Sequence, residues 1–412
     1  MHTLSFTGER QLRYPAPDVA RGFMLALIAL ANVPFWIAYF PEAPQAGHAA
    51  LEAMNGADQW WYLARVLFVD RRAYPLFSIL FGFGMAIMAS RTMERERRAA
   101  EDSFSAEEVA GWHPVQRQIA EENIERHARR VAARLIRRRG WWMLVFGGVH
   151  ALFFSGDIIG TYGLVAVIFA EVIVMKRVWP RVLVGSLVAA LSLFGLWGMG
   201  FSMGGTPMVL EYHGPFALTM FYPLTSLGTW LGATIATVLM SLVVPCVMIG
   251  VGVARWGLLQ DPRGRGALLS VIAACGLGIG ALGGLPFALM QLDWAFVGSA
   301  AWSYPLFHAS GVAGACGWLA LLALVGGGPR EKLGTVCAFL SAIGRRSMTA
   351  YLSQTLLFIL IFSVLGACGV RSLGVAVSGL IALGVWALIG LGCVIAEALG
   401  SSRGPAEWAL RW

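Results

Sequence analysis

Apolar residues in this chain come in runs of about twenty, separated by short polar or arginine-bearing stretches. An α-helix needs a run of that length to cross the ~30 Å hydrocarbon core of a bilayer. Read with a window of about 20 residues, the pattern predicts roughly ten spans, at 18–40, 73–90, 140–156, 158–175, 180–201, 229–254, 266–287, 299–325, 347–366 and 373–398. The expected fold is all-α: a single polytopic transmembrane helix bundle over residues 1–412.

Composition reinforces that class. The chain is 58% hydrophobic and 13% charged, with a mean hydropathy of +0.68, whereas a soluble domain carries about twice that charged fraction. Its 50 glycines and 16 tryptophans suit close helix approach and the headgroup layer.

The net charge of +8 would suggest nucleic acid if its positions did not give another reason. With the N-terminus cytoplasmic, only Arg65, Arg71, Arg72 and Arg371 of the 31 basic residues fall outside, as the positive-inside rule favours. Both termini are then cytoplasmic, and no nucleic-acid partner is expected. Residues 41–72 and 203–227 form the extracytoplasmic loops, and 91–139 a cytoplasmic basic helical loop with twelve arginines and nine acidic residues. Its half from 116 to 139 has neither proline nor glycine, so it reads as a helix that docks on anionic lipid or a phosphorylated cofactor, or simply presents a solvated face. The outer aromatic and polar residues (Trp60, Trp61, Glu211, Tyr212, His213, Tyr222) suit a bundle mouth, a sugar or the lipid interface. The pair Arg71 and Arg72 suits an anionic acceptor or outer-leaflet phosphates.

Several classes are excluded. Cys246, Cys275, Cys316, Cys337, Cys368 and Cys393 all lie in apolar runs without CxxC spacing, so they read as buried hydrophobes, and no metal site is expected. The first apolar run has no small-residue cleavage site after it and reads as a span of the mature protein. No strand precedes the glycine-rich stretches, so there is no phosphate-binding loop and no nucleotide-driven pump is expected.

Intramembrane polar groups are the candidate chemistry, because lipid-embedded helices seldom carry them without use. His150 falls about 15 Å beyond Arg139 along a helix, and Asn32 about 21 Å up the first span. Ser78 lies near the middle of the second span, while Thr349, Tyr351 and Gln354 enter the ninth from inside. Together they outline either a buried site or a set of interhelical hydrogen bonds. Asp157 follows His150 by seven residues, which in an unbroken helix leaves the two about 10 Å apart. Gly156 breaks or bends that helix, freeing Asp157 to fold back to the pocket or to cap the next helix. Glu171 and Glu397, near inside helix ends, are assigned no chemistry.

The segments Asp18-Val19-Ala20-Arg21-Gly22 leading to Asn32, Phe77-Ser78-Ile79-Leu80-Phe81-Gly82, His150 with Gly156-Asp157-Ile158 and Tyr162, Gly344-Arg345 with Thr349 to Gln354, and the tail Gly404-Pro405-Ala406-Glu407-Trp408 with Arg411 resemble, in order, the YeiB-like bacterial membrane proteins, a family of unknown function. Two positions depart from its pattern: Ile159 replaces a leucine, and Ala350 replaces an asparagine whose amide would have entered the pocket. The resemblance implies a bacterial inner-membrane protein. It also implies a wider similarity to transmembrane acyltransferases such as the heparan glucosaminide acetyltransferases, which use cytosolic acyl-CoA to modify a hydroxyl or amine across the membrane. In that group an asparagine late in the first helix and an intramembrane histidine carry the chemistry; the resemblance carries the first over to Asn32 by motif, and His150 over within the YeiB-like family.

The residues suit such a reaction. A neutral imidazole at His150 would accept the acceptor's proton, worth roughly 10² to 10⁴ in rate, with Asp157 beside it, and an Asn32 or Gln354 amide would donate to the oxyanion, worth roughly 3 kcal/mol. Ser78, Tyr162, Thr349, Tyr351 and Gln354 would line the substrate pocket. Arg21, Arg138, Arg139, Arg345 and Arg346 stand at the inside mouth, for acyl-CoA phosphates or for lipid phosphates. The expected activity is transfer of an acyl, in particular acetyl, group from acyl-CoA to an envelope sugar or lipid-linked acceptor; a homodimer is compatible with it. A proton-coupled transporter or lipid flippase would use the same polar zone, and a non-catalytic scaffold or sensor would show neither turnover nor ligand binding.

Overall fold

Apolar runs become helices, as their periodicity requires, and the departures from the hydropathy pattern are local. The structure is a computed structural model and describes residues 15–37, 40, 51–52, 54–105, 108, 110–203, 221–259, 262–295, 298–328, 333–401 and 403–409. Glu211, Tyr212, His213 and Arg411 lie outside the described residues.

In chain order the helices are α1 (Ala16–Ile37), α2 (Gly56–Phe68), α3 (Ala73–Glu101), α4 (Pro114–Ala151), α5 (Ile159–Val174), α6 (Trp179–Met203) and α7 (Tyr222–Met240). They continue with α8 (Val243–Arg255), α9 (Gly266–Gln291), α10 (Ala300–Gly326), α11 (Thr335–Gly344), α12 (Ser347–Ala367), α13 (Val375–Ala398) and α14 (Pro405–Ala409). No strand occurs among the described residues. Eight helical candidates there are long and apolar enough to cross a membrane, which makes this an all-α membrane helix bundle.

Three expected spans take a different form. The run 229–254 divides into α7 and α8, with Ser241 extended between them (φ −129°, ψ 166°). Pro245, in the first turn of α8, has no N–H to donate to the Ser241 carbonyl, and its ring excludes that carbonyl from helical geometry. Ser241 Oγ bonds back to the Thr237 carbonyl at 2.6 Å and accepts the Val243 N–H at 3.3 Å, so the break satisfies its own polar groups. The Ser192 hydroxyl donates to the Ser241 carbonyl at 2.9 Å, which sets the break level with the middle of α6.

The runs 140–156 and 158–175 form a short hairpin. Its second arm, α5, is 16 residues long, about 24 Å against the ~30 Å of a full crossing. The first arm is the apolar end of α4, whose 38 residues begin at Pro114 behind a His113 capping box. The arms meet backbone to backbone at small residues: a Cβ on Gly140 would stand 2.7 Å from the Gly163 carbonyl, and one on Gly147 2.5 Å from the Gly160 nitrogen. Small residues are how helices approach closely where lipid offers no hydrophobic drive.

Two helices arise that a twenty-residue window cannot see. The 13-residue α2 lies within the expected loop 41–72, and the ten-residue α11 packs against the start of α1, where Gly344 passes the Asp18 backbone too closely for any side chain. At the arginine-rich end α3 extends to Glu101, beside α4. Glu125 of α4 binds Arg97 and, at 3.3 Å, Lys176. Arg255 holds the carbonyls of Lys176 and Met175. The main core, around Met24, Leu76, Ile79, Ile136, Val247 and Val251, lies between α1, α3, α4, α5 and α8.

Candidate functional site

The hairpin tip gathers the buried polar groups. Because α4 stops at Ala151, residues 152–158 turn back and carry Asp157 against His150, closing the distance that an unbroken helix would leave. His150 Nδ1 lies 2.7 Å from Asp157 Oδ1, and its Nε2 lies 2.9 Å from the Thr355 hydroxyl of α12. All three side chains are buried. The other carboxylate oxygen accepts the Gly160 N–H at 2.9 Å and the Trp230 indole N–H at 3.2 Å. Asp157 thus both reaches the histidine and caps the start of α5, two roles that the sequence leaves as alternatives. Trp230 reaches it because Gly160 has no side chain; a Cβ there would overlap the indole.

This arrangement fixes the imidazole. A carboxylate has only acceptors, so Nδ1 donates to Asp157, and in the neutral imidazole that leaves the Nε2 lone pair facing the Thr355 hydroxyl. Tyr351 closes one side with its ring 5.3 Å from the imidazole, and Phe154 another at 5.9 Å. The Tyr351 hydroxyl is buried and makes no hydrogen bond of normal geometry among the described residues. Phe154 stacks in turn on Trp36 at 5.6 Å.

The other expected residues sort into groups. Ser78 and Tyr162 meet, with 3.1 Å between their hydroxyls, and both donate to the Tyr74 carbonyl. Tyr162 also stacks on Phe77 at 4.5 Å. Gln354 donates its amide to the Leu25 carbonyl at 2.9 Å, while its Oε1 is buried without a partner. Asn32 is half-buried on α1, between Leu25, which meets Gln354, and Trp36, which packs on Phe154 and Phe358. Pro34 frees the Leu30 carbonyl beside it.

Thr349 lies elsewhere. Its hydroxyl donates to Glu407 at 2.6 Å, and Glu407 Oε1 accepts the backbone N–H groups of Met348 and Thr349 at 2.7 and 3.1 Å. The tail carboxylate therefore caps α12, which accounts for the contact of Thr349 with Glu407.

The five arginines expected at the donor mouth also divide. Arg346, 3% exposed, donates to the carbonyls of Ala342 and Ser401 and leaves Nε without a partner among the described residues, and Arg345 pairs with Glu397. Glu171 likewise binds Arg137 at 2.8 Å. Arg138 lies in a shallow surface depression of α4 beside Trp141, Trp142 and Val145, and Arg139 is on the same helix. Arg21 fits best. It pairs with Asp18 at 3.2 Å and lines a cavity of about 150 Å³ with Phe77, Phe81, Gly84 and Ser347. Ser347, Tyr351 and Thr355 follow one stripe of α12, so that stripe runs from Arg21's cavity to His150, about 12 Å along the axis.

Thr355 and Trp230 are the site residues missing from the sequence reading. Thr355 is recognisable one turn beyond Tyr351 on the same stripe; nothing in the sequence distinguishes Trp230 from fifteen other tryptophans. Outside the spans, Glu125 is poised by its neighbours: burial raises its pKa, but Lys176 and Arg97 outweigh this and hold the carboxyl below its ordinary value. Among the described residues no group of three or more His, Cys, Asp or Glu could hold a metal.

Fold and site together define a polytopic helical membrane protein with a buried His–Asp pair at the tip of a short helical hairpin. Residues 253–412 match the model of a family described as a protein of unknown function (DUF418). The match takes in Tyr351, Gln354, Thr355 and Glu407 but not the hairpin. No curated protein and no solved structure matches the chain.

Proposed function

We propose that this protein is a transmembrane acyltransferase of the bacterial inner membrane, with both termini in the cytoplasm, that moves an acyl group, acetyl above all, from acyl-CoA to a sugar or lipid-linked acceptor in the envelope. The observation that carries the reading is a hydroxyl on His150 Nε2 with a carboxylate on Nδ1. Thr355 Oγ1 occupies the position that an acceptor oxygen must take for its proton to pass to Nε2. The acceptor oxygen then bonds to the thioester carbonyl carbon, the C–S bond breaks, and the imidazolium returns its proton to the departing thiolate. Asp157 stabilises the imidazolium formed between those two transfers.

Arg21 supports the donor side, since its cavity opens onto the stripe that leads to His150. The oxyanion requires a donor. Asn32 is a half-buried candidate; Gln354 spends its amide on Leu25. The hairpin supports the acceptor side: unwound backbone at membrane depth is tolerated where protein or a watered cavity lines it, and Ser155 and Gly156 at the tip are half-exposed.

Acetyl-CoA binding to the protein in nanodiscs, by calorimetry, tests this reading. Saturable binding that Arg21→Ala weakens and His150→Ala leaves in place supports a donor mouth beside a separate base. Absence of binding up to about millimolar, less than about 4 kcal/mol of affinity, rejects it. One observation favours proton-coupled transport or lipid flipping instead: the break between α7 and α8, since discontinuous helices mark many substrate sites of transporters. Flux driven by a pH gradient in proteoliposomes, with no covalent product, is the outcome that reading requires.

A further inference from the structure

A second polar cluster lies at the start of α3, away from the arginine-rich end. Arg72 is 1% exposed, yet its guanidinium pairs with no carboxylate among the described residues. It donates to the carbonyls of Val66 and Asp70, each at 2.6 Å, and of Gly280, leaves Nε without a partner, and lies 5.2 Å from the Phe307 ring centroid. Arg71, held at φ 61°, makes one side-chain hydrogen bond, to the Tyr304 hydroxyl at 3.5 Å. The adjacent acid, Asp70, is taken by Arg65 at 2.9 Å. A buried and a half-buried cation therefore stand next to each other in the chain, and among the described residues neither makes an ion pair, an arrangement that for the buried one is costly unless an anion completes it.

The neighbouring groups are unfinished as well. His308, 4% exposed, stands edge-on to Tyr304 at 4.7 Å and has no hydrogen bond at either ring nitrogen. The hydroxyl of Tyr74 is buried and also makes none of normal geometry. Arg71 and Arg72 bear electrostatically on His308, and Arg71 and Tyr304 on Tyr74, so these groups share one locality. A carboxylate offers two coplanar oxygens; a phosphate offers three or four in a tetrahedron and more charge, which suits donors converging from α3 and α10.

We propose that Arg71, Arg72, Tyr74, Tyr304 and His308 form a binding site for a phosphate group. It shares no residue with the His150, Asp157 and Thr355 group, although the Tyr74 carbonyl accepts the Tyr162 hydroxyl of α5; the proposal concerns binding alone, independent of acyl transfer.

Histidine ring NMR on the full chain, purified in a phosphate-free maltoside detergent, tests the site, with His308 assigned through His308→Gln. One arm titrates inorganic phosphate against sodium chloride of equal ionic strength; the other adds phosphatidylglycerol to the micelles. A saturable shift of the His308 resonance, with affinity reduced at least about tenfold in Arg71→Ala and reduced in Tyr304→Phe, is the expected result. A response to inorganic phosphate assigns the site to soluble phosphate groups, and a response to phosphatidylglycerol alone assigns it to a lipid headgroup. Arg72→Ala would leave a buried hole, whereas the Tyr304 variant keeps its ring and reports the site without that change. A His308 resonance that neither probe moves, or that moves equally in Arg71→Ala, overturns the proposal.

Discussion

The Thr355 hydroxyl lies 2.9 Å from His150 Nε2, on the side of the ring opposite Asp157. A threonine on α12 thus holds the only ring position from which His150 can take a proton, and an acceptor must displace it or use it.

Replacing Thr355 with valine separates those cases. The shapes match, so packing survives, and the lost hydrogen bond costs about 1 to 3 kcal/mol of stability. If the hydroxyl only holds the acceptor's place, Thr355→Val keeps acyl transfer within about tenfold of wild type, and intact-mass spectrometry finds no acyl adduct on the wild-type chain. Complete loss of turnover, with an adduct mapped to Thr355, would show instead that the hydroxyl itself carries the acyl group.

Asp157→Asn keeps an acceptor for the Gly160 N–H but turns an amide toward His150, which exchanges the tautomer. Turnover should fall by about 10² to 10⁴ while circular dichroism stays native. Unchanged turnover would leave Asp157 with the capping role alone.

How much of this was legible in the sequence follows from what hydropathy measures. Apolar runs mark helices because bilayer thickness demands length, and α1, α6, α9, α10, α12 and α13 lie close to their expected limits. The two arms of the hairpin fall on the expected runs 140–156 and 158–175, but hydropathy does not show that they are too short to be two full crossings, and a window of twenty averages over the ten-residue α11. His150 and Asp157 were visible as intramembrane polar groups, and Gly156 as the bend that could bring Asp157 back, but whether it reaches the histidine or caps the next helix depends on where α4 stops. Arg345 and Arg346 looked like phosphate ligands on charge alone. Their partners, Glu397 and the Ser401 carbonyl, come from the far end of α13, which no local pattern brings near.

The tail cap gives a prediction independent of any activity. Glu407→Gln removes the charge that accepts two N–H groups at the start of α12, a cap worth about 1 kcal/mol. Hydrogen exchange should quicken at Met348 and Thr349 and leave the hairpin unchanged. Equal exchange in both proteins would mean that the tail does not hold this helix end.

The α3–α4 extension should be sensitive to acid. The Glu125 carboxyl has a folded pKa below its ordinary 4.5. Its contribution to docking is therefore fully present above that ordinary value and is lost as pH falls through the depressed one. Cleavage near Arg97 by an acid-stable protease should rise only on the acid side of the ordinary value, and Glu125→Gln should show the open pattern already at neutral pH. Pattern and rate that are the same in both proteins at every pH would contradict the coupling.

The central claim is that His150 is the base of an acyl transfer, and release of free CoA thiol from acetyl-CoA tests it most directly. The protein in nanodiscs is incubated with acetyl-CoA and an envelope sugar and lipid extract, beside His150→Ala of equal thermal stability. The account predicts thiol release that saturates with acetyl-CoA, matches label appearing in an extract component, and falls at least about 10² in the variant. Thiol release identical in the two proteins, or none in either while a pH gradient drives flux through the same preparation, would contradict it.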